Sequence, residues 1–255
     1  MPGFRFDWRH PCLIHFAAFA GLSLVTALGL LNQFDLWCTR VLQFFAGHET
    51  DCRAVLFNWV GSPEFTGLVT LILAGLFWLK FSPRQSLFFL GAMALGTIVE
   101  VAAKFWLPQM PIPDEIQRGC EFLSGGIITM DSPGSYPSGH MFRTAFLIFI
   151  VDRFRIFGSG LINQIITRLT LILLIILMLA TRVYLGEHWA SDVIGGLILA
   201  LAVSLLVPAP ALPSPLGRGE GEGFNEEPIF YFLSPWAFFF SRPGRLSFGT
   251  GSVRR

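Results

Sequence analysis

The chain has 255 residues, 53% of them hydrophobic and 14% charged, with a formal net charge of +1 and a mean hydropathy of +0.60. So little charge leaves too little polar surface for an ordinary soluble domain, and the near-neutral balance excludes the concentrated Lys and Arg of a nucleic-acid-binding protein. The four cysteines, at positions 12, 38, 52 and 120, have neither the paired spacing of a zinc site nor the density of a disulfide scaffold.

A hydrocarbon core about 30 Å thick needs roughly 17 to 25 apolar residues per helix. In chain order the windows that meet this are 12–33, 64–81, 86–107, 140–157, 165–185 and 189–207, which predicts an all-α integral membrane bundle of about six transmembrane helices. The first window is long, has no small-residue cleavage pattern and runs into Asn32, Gln33 and Phe34, so it is read as a retained anchor rather than a signal peptide. Cys12 is expected to lie in lipid. Between the first two spans, Leu36, Trp37, Val41, Leu42, Phe44 and Phe45 interleave with Asp35, Arg40 and Gln43, a spacing that suits a helix lying in the membrane interface.

Basic residues set the expected orientation. Arg5 and Arg9, then Lys80 and Arg84, then Arg153, Arg155 and Arg168 mark alternate connections as cytoplasmic. The third connection carries Asp114, Glu115, Glu121 and Asp131 against Arg118 and is expected outside, as are Cys38, Cys52 and Cys120, where an oxidising compartment permits a disulfide between two of them. Residues 1–207 thus form the membrane-embedded domain. From Pro208 to Arg255 the chain turns Pro- and Gly-rich, with short aromatic runs at Ile229–Leu233 and Pro235–Phe240 that cannot span a bilayer, and it is read as a disordered tail.

Ionisable residues gather at the outward helix ends. His188 and Asp192 are four apart, which on a helix places both on one face, so that the carboxylate orients one imidazole nitrogen and leaves the other as a nucleophile. The same spacing fits a surface contact or part of a metal site. Pro137-Ser138-Gly139-His140 combines an N-cap serine, a glycine that permits close approach and a histidine above a helix N-terminus, where anions bind. A protonated His140 there donates to a leaving alkoxide. Lys104 and Arg182 supply fixed cations for the charge that spreads over a phosphoryl group in transfer, although either alone also fits a side chain snorkelling to headgroups. A transporter is disfavoured, because the one ionisable residue that comes toward the middle of a span is Glu100, near the Lys104 end.

With these motifs the sequence resembles the type 2 phosphatidic acid phosphatases, a family related to vanadium haloperoxidases and bacterial nonspecific acid phosphatases. The resemblance runs from about Asp51 to Val207, and its motifs lie within 104–192. The family's second motif stands intact at 137–140, and its third stands as Thr181-Arg182, His188 and Asp192, with Thr for the usual Ser. The resemblance implies a six-helix membrane phosphatase that works through a phosphohistidine at His188 without a metal or cofactor. It departs at the first motif: after Lys104 the family has six residues and then Arg-Pro, whereas this chain has Pro111 at that place. Arg143, three residues after His140 and on the same helix face, is the first candidate to supply the absent cation, and Arg118 the second.

The expected catalytic residues are therefore His188, His140 and Asp192, and the expected substrate-binding residues Lys104, Ser138, Gly139, Arg182 and Arg143. The leading reading is hydrolysis of a lipid phosphate or diphosphate at the outer face of a bacterial inner membrane, facing the periplasm or exterior. Phosphatidic acid, phosphatidylglycerol phosphate, prenyl diphosphate and lipid A phosphates share the terminal group that such a site grips. A phosphotransferase differs only in the acceptor. A noncatalytic lipid-phosphate binder is the reading that the absent arginine favours.

Overall fold

The structure, a computed structural model, describes residues 9–120, 133–158 and 160–208, all within the compact unit Met1–Ala211. Glu121, Asp131 and the segment expected as a tail, from 209 onward, lie outside the described residues. Eight helices follow in order among the described residues: α1 Arg9–Ala27, α2 Asn32–Leu42, α3 His48–Asn58, α4 Pro63–Lys80, α5 Pro83–Trp106, α6 Gly139–Arg153, α7 Leu161–Tyr184 and α8 Ala190–Ser204. Two of them start alike. Ser62 and Ser82 each precede a proline at the first helical position, and their hydroxyls accept from Phe65 N and Gln85 N at 3.2 Å. Serine satisfies an orphan amide and proline has none to lose.

Each expected apolar window is helical, but the helices are unequal. By length and composition α5, α7 and the stretch His48–Lys80 suffice to cross a membrane, and α1 with α2 forms a pair bent by 91°. The helices α6 and α8 have 15 residues each, roughly 22 Å at the α-helical rise, short of the windows 140–157 and 189–207 read from hydropathy. They are also the most enclosed. They pack on one another, with α1, α4, α5 and α7 around them, and α8 reaches α6 closely because Gly196 has no side chain: a Cβ there would stand 2.4 Å from Ser138 O. Burial inside protein replaces lipid contact along these helices, so they need not match the bilayer thickness. On α7, by contrast, Ile162, Ile166, Leu169 and Leu173 are exposed, as expected of a face turned to acyl chains.

An aromatic cluster closes the end of the bundle that carries Lys80, Arg84 and Arg153. The Phe77 ring lies 4.4 Å from Phe154 and 5.2 Å from Phe89, and Phe89 lies 5.6 Å from Phe146. There Arg153 Nη1 donates to Ser204 O at 2.9 Å, satisfying an orphan carbonyl at the end of α8. The α2 helix turns Trp37 and Val41 outward while Asp35 and Thr39 are buried, the division expected of an interfacial helix. Cys12 departs from expectation: it is buried, its Sγ 3.5 Å from Ala202 O, because α1 lays this side against α8 rather than lipid.

Cys52 and Cys120 form a disulfide across 68 residues, while Cys12 and Cys38 are free. Closing a loop of that length disfavours the unfolded chain by about 4 kcal/mol in the chain-entropy treatment. Nonreducing peptide mapping is expected to recover Cys52 linked to Cys120 with the other two cysteines as thiols, and Cys52→Ser/Cys120→Ser should lower the thermal midpoint in detergent. Four free thiols in the native protein would contradict the pairing.

Candidate active site

At the opposite end from the aromatic cluster, the end of α5, the start of α6, the end of α7 and the start of α8 meet. Asp192, in the first turn of α8, is fully buried. Its Oδ2 accepts from Trp189 N at 2.9 Å and from Ser135 Oγ at 2.7 Å, and its Oδ1 accepts from Gln109 Nε2. His188 Nδ1 faces the same Oδ2 at 3.4 Å, longer than an ordinary hydrogen bond, as is common for catalytic pairs before substrate binds. The main chain joins the two motifs as well, since Ser138 N donates to Asp192 O at 2.9 Å. Burial, followed by the charge of Arg182, holds the His188 imidazole below the ordinary histidine range against the opposing effect of Asp192. It is therefore neutral near neutral pH, with Nε2 as the nitrogen that does not face Asp192.

Arg182, in the last turn of α7, is 3% exposed. Its Nη1 reaches both Asn58 Oδ1, from the last residue of α3, and Glu187 Oε2, while its Nε has no hydrogen-bond partner. Lys104 Nζ and Arg143 Nη1 meet the two oxygens of Glu100 at 2.9 and 3.1 Å, and Arg143 Nε is likewise buried without a partner. Arg182, Arg143, Lys104 and His188 all lie near enough to His140 to act on it electrostatically. Ser138 caps α6, its Oγ 3.5 Å from Met141 N. Gly139 is where the carboxylate of Glu100 comes closest, for a Cβ at 139 would stand 1.9 Å from Glu100 Oε1.

Every residue expected at the site is thus at one end of the bundle, and Arg118 is the candidate set apart. Its guanidinium is paired in a fork with Asp51 at 2.8 and 3.0 Å and lies over the Tyr184 ring, while Tyr184 Oη donates to the same Asp51 at 2.6 Å. With the backbone bond from Arg118 N to Leu185 O at 2.8 Å and the disulfide, this straps the segment before Cys120 to α3 and α7. Burial works against the charged form of Arg118, but Asp51 outweighs it and raises the guanidinium pKa.

Sequence reasoning assigned no role to Asn58, Gln109 or Ser135, nor to Asp35, which accepts from Ser191 N and Ser191 Oγ at 2.8 Å each and so anchors the start of α8. All are short polar side chains in loops or at helix ends, and only contact with Arg182, Asp192 or Ser191 distinguishes them. Glu100 alone had a signal, a carboxylate deep in an apolar span. Among the described residues no group of three or more His, Cys, Asp and Glu is placed to hold a metal ion.

The family model described as the PAP2 superfamily matches residues 85–210, the stretch from α5 through α8. A search of curated proteins found no match. Among solved structures, the chain is similar to one described as the first transmembrane PAP2 type phosphatidylglycerolphosphate phosphatase from Bacillus subtilis, with a TM-score of 0.63 at 19% identity over 78% of this chain and 94% of that one. That similarity gives the helical fold, and the family match covers every motif residue from Lys104 to Asp192. On both grounds the chain belongs to the PAP2 superfamily of phosphatases, as an all-helical integral membrane member.

Proposed function

We propose that this protein hydrolyses the phosphomonoester or diphosphate of a membrane lipid through a phosphohistidine at His188. The observation that carries the reading is a neutral histidine, faced on Nδ1 by a buried carboxylate, beside arginines whose Nε groups are buried and unpartnered. A phosphoryl oxygen is the acceptor that such groups fit. His188 Nε2 attacks phosphorus as the bond to the lipid oxygen breaks, and His140 gives its proton to that oxygen. Water then attacks the phosphohistidine, His140 takes a proton from it, and inorganic phosphate leaves with His188 restored. Lys104, Arg143 and Arg182 hold the nonbridging oxygens, where charge is greatest in the transition state. Phosphatidylglycerol phosphate, the substrate in the name of the similar structure, is one lipid with the required terminal group.

The site faces the outer side of a bacterial inner membrane in this proposal. Support comes from two directions: the basic connections at Lys80–Arg84 and Arg153–Arg168 lie at the other end of the bundle, and the disulfide Cys52–Cys120 lies at the site end, where it requires an oxidising compartment. Single cysteines introduced between residues 108 and 118 are expected to react with a membrane-impermeant reagent added outside intact cells, and those beside Arg84 to react only after lysis. The reverse pattern would turn the site to the cytoplasm.

His188→Ala should abolish phosphate release from lipid and the acid-labile phosphoenzyme trapped by rapid quench. Near-wild-type release by that variant would remove His188 as nucleophile. His140→Ala should slow alkyl phosphates by about a hundred- to ten-thousand-fold, the usual range for a general acid, while p-nitrophenyl phosphate, whose leaving group needs little protonation, should lose much less. Equal losses on both substrates would count against a proton-donor role.

A further inference from the structure

Glu100 is buried at 2% exposure and holds two cations from two helices: Lys104, one turn on in α5, through Oε1 at 2.9 Å, and Arg143 of α6 through Oε2 at 3.1 Å. A carboxylate at this depth needs a cationic partner, and Lys104 alone would neutralise it. That pair would leave the Lys104 side of the site without net charge. Arg143 adds a second cation there, acted on by Glu64 of α4 as well as by Glu100, and has a buried Nε with no partner. The carboxylate also lies against the first residue of α6, at a place that any Cβ on Gly139 would fill, and a helix N-terminus favours negative charge. The missing arginine at Pro111, the arginine at 143, the intramembrane glutamate and the glycine before His140 are thereby parts of one arrangement.

We infer that Glu100 is a positioning residue that clamps Lys104 and Arg143 side by side at the start of α6, so that Arg143 supplies from that helix the cation absent from the segment after Lys104. The inference rests on the phosphatase reading above. Without the clamp both cations are free to close on a bound phosphate as it stands, instead of being held where charge develops, so ground-state binding tightens while turnover falls. A glutamate that merely neutralised buried charge would affect folding and phosphate binding without a matching loss of turnover through Arg143.

The test is Glu100→Gln, which keeps the volume and removes the charge. Turnover on a phosphomonoester lipid in detergent is expected to fall about 10- to 100-fold, the scale of losing a group that orients a ligand, and inorganic phosphate, followed by calorimetry without lipid, should bind roughly fivefold more tightly for the loss of one nearby negative charge. In a double-mutant cycle the turnover loss of Glu100→Gln/Arg143→Ala should be well below the product of the two single losses, because one change acts through the other. Turnover within about twofold of wild type, an unchanged phosphate affinity, or multiplicative losses would each overturn the clamp. If Glu100→Gln does not fold, Glu100→Asp decides by turnover: it keeps the charge but cannot reach both cations, so turnover should fall, and wild-type turnover overturns the inference. A wild-type protein that binds phosphate yet releases none from lipid would sink the hydrolase reading, while the same double-mutant cycle with Arg143→Ala, read in phosphate affinity, still decides the clamp.

Discussion

A buried carboxylate must find enough donors to replace water, and at Asp192 that need organises the whole end of the bundle. Its oxygens collect the amide of Trp189, the hydroxyl of Ser135 and the amide group of Gln109, so the start of α8 is tied to the segment after α5 and to the approach to α6. The main chain adds the bond from Ser138 N to Asp192 O. Leaving any of these groups unpaired at such depth costs about 1 to 3 kcal/mol, which fixes the relative placement of the loops carrying His188 and His140. On the far side of the same helix start, Asp35 takes both donors of Ser191 and brings the bent α1–α2 pair into the arrangement.

The short inner helices follow from the same demand. A polar cluster in a membrane protein has to lie near one end of the helices and be closed off below by apolar packing. With only 15 residues each, α6 and α8 span less than the bilayer, and longer helices with exposed apolar faces, α7 above all, meet the lipid. At the opposite end the rings around Phe77 pack on one another, and dispersion packing does most of the holding there, while the buried polar network is gathered at the site end.

Around the site a second group of contacts fixes the segment before Cys120. Asp51 receives the fork of Arg118 and the hydroxyl of Tyr184, next to the disulfide of its neighbour Cys52. Because Asn58 at the end of the same α3 helix touches Arg182, the strap and that buried arginine share one scaffold. Arg118 serves this strap rather than the site, and the reason is proximity: Asp51 lies one residue from the disulfide that brings Arg118 to α3.

Sequence alone determined the membrane class, the apolar helices, and the grouping of Lys104, His140, Arg182, His188 and Asp192 at one end. Each of these depends on composition, on periodicity or on how far along the chain a residue lies from a helix end, and all are local quantities. It also put Arg143 first and Arg118 second as replacement cations with no contact to decide between them, placed Cys12 in lipid, and gave no role to Asn58, Gln109 and Ser135. Those matters turned on which carboxylate each arginine meets and on which face of α1 meets α8, contacts between residues 43 to 190 positions apart. A hydropathy window or a motif spacing carries no information about such pairs, because a side chain's partner across a bundle is set by how the helices rotate and pack against one another, and that was decided only when the tertiary structure closed.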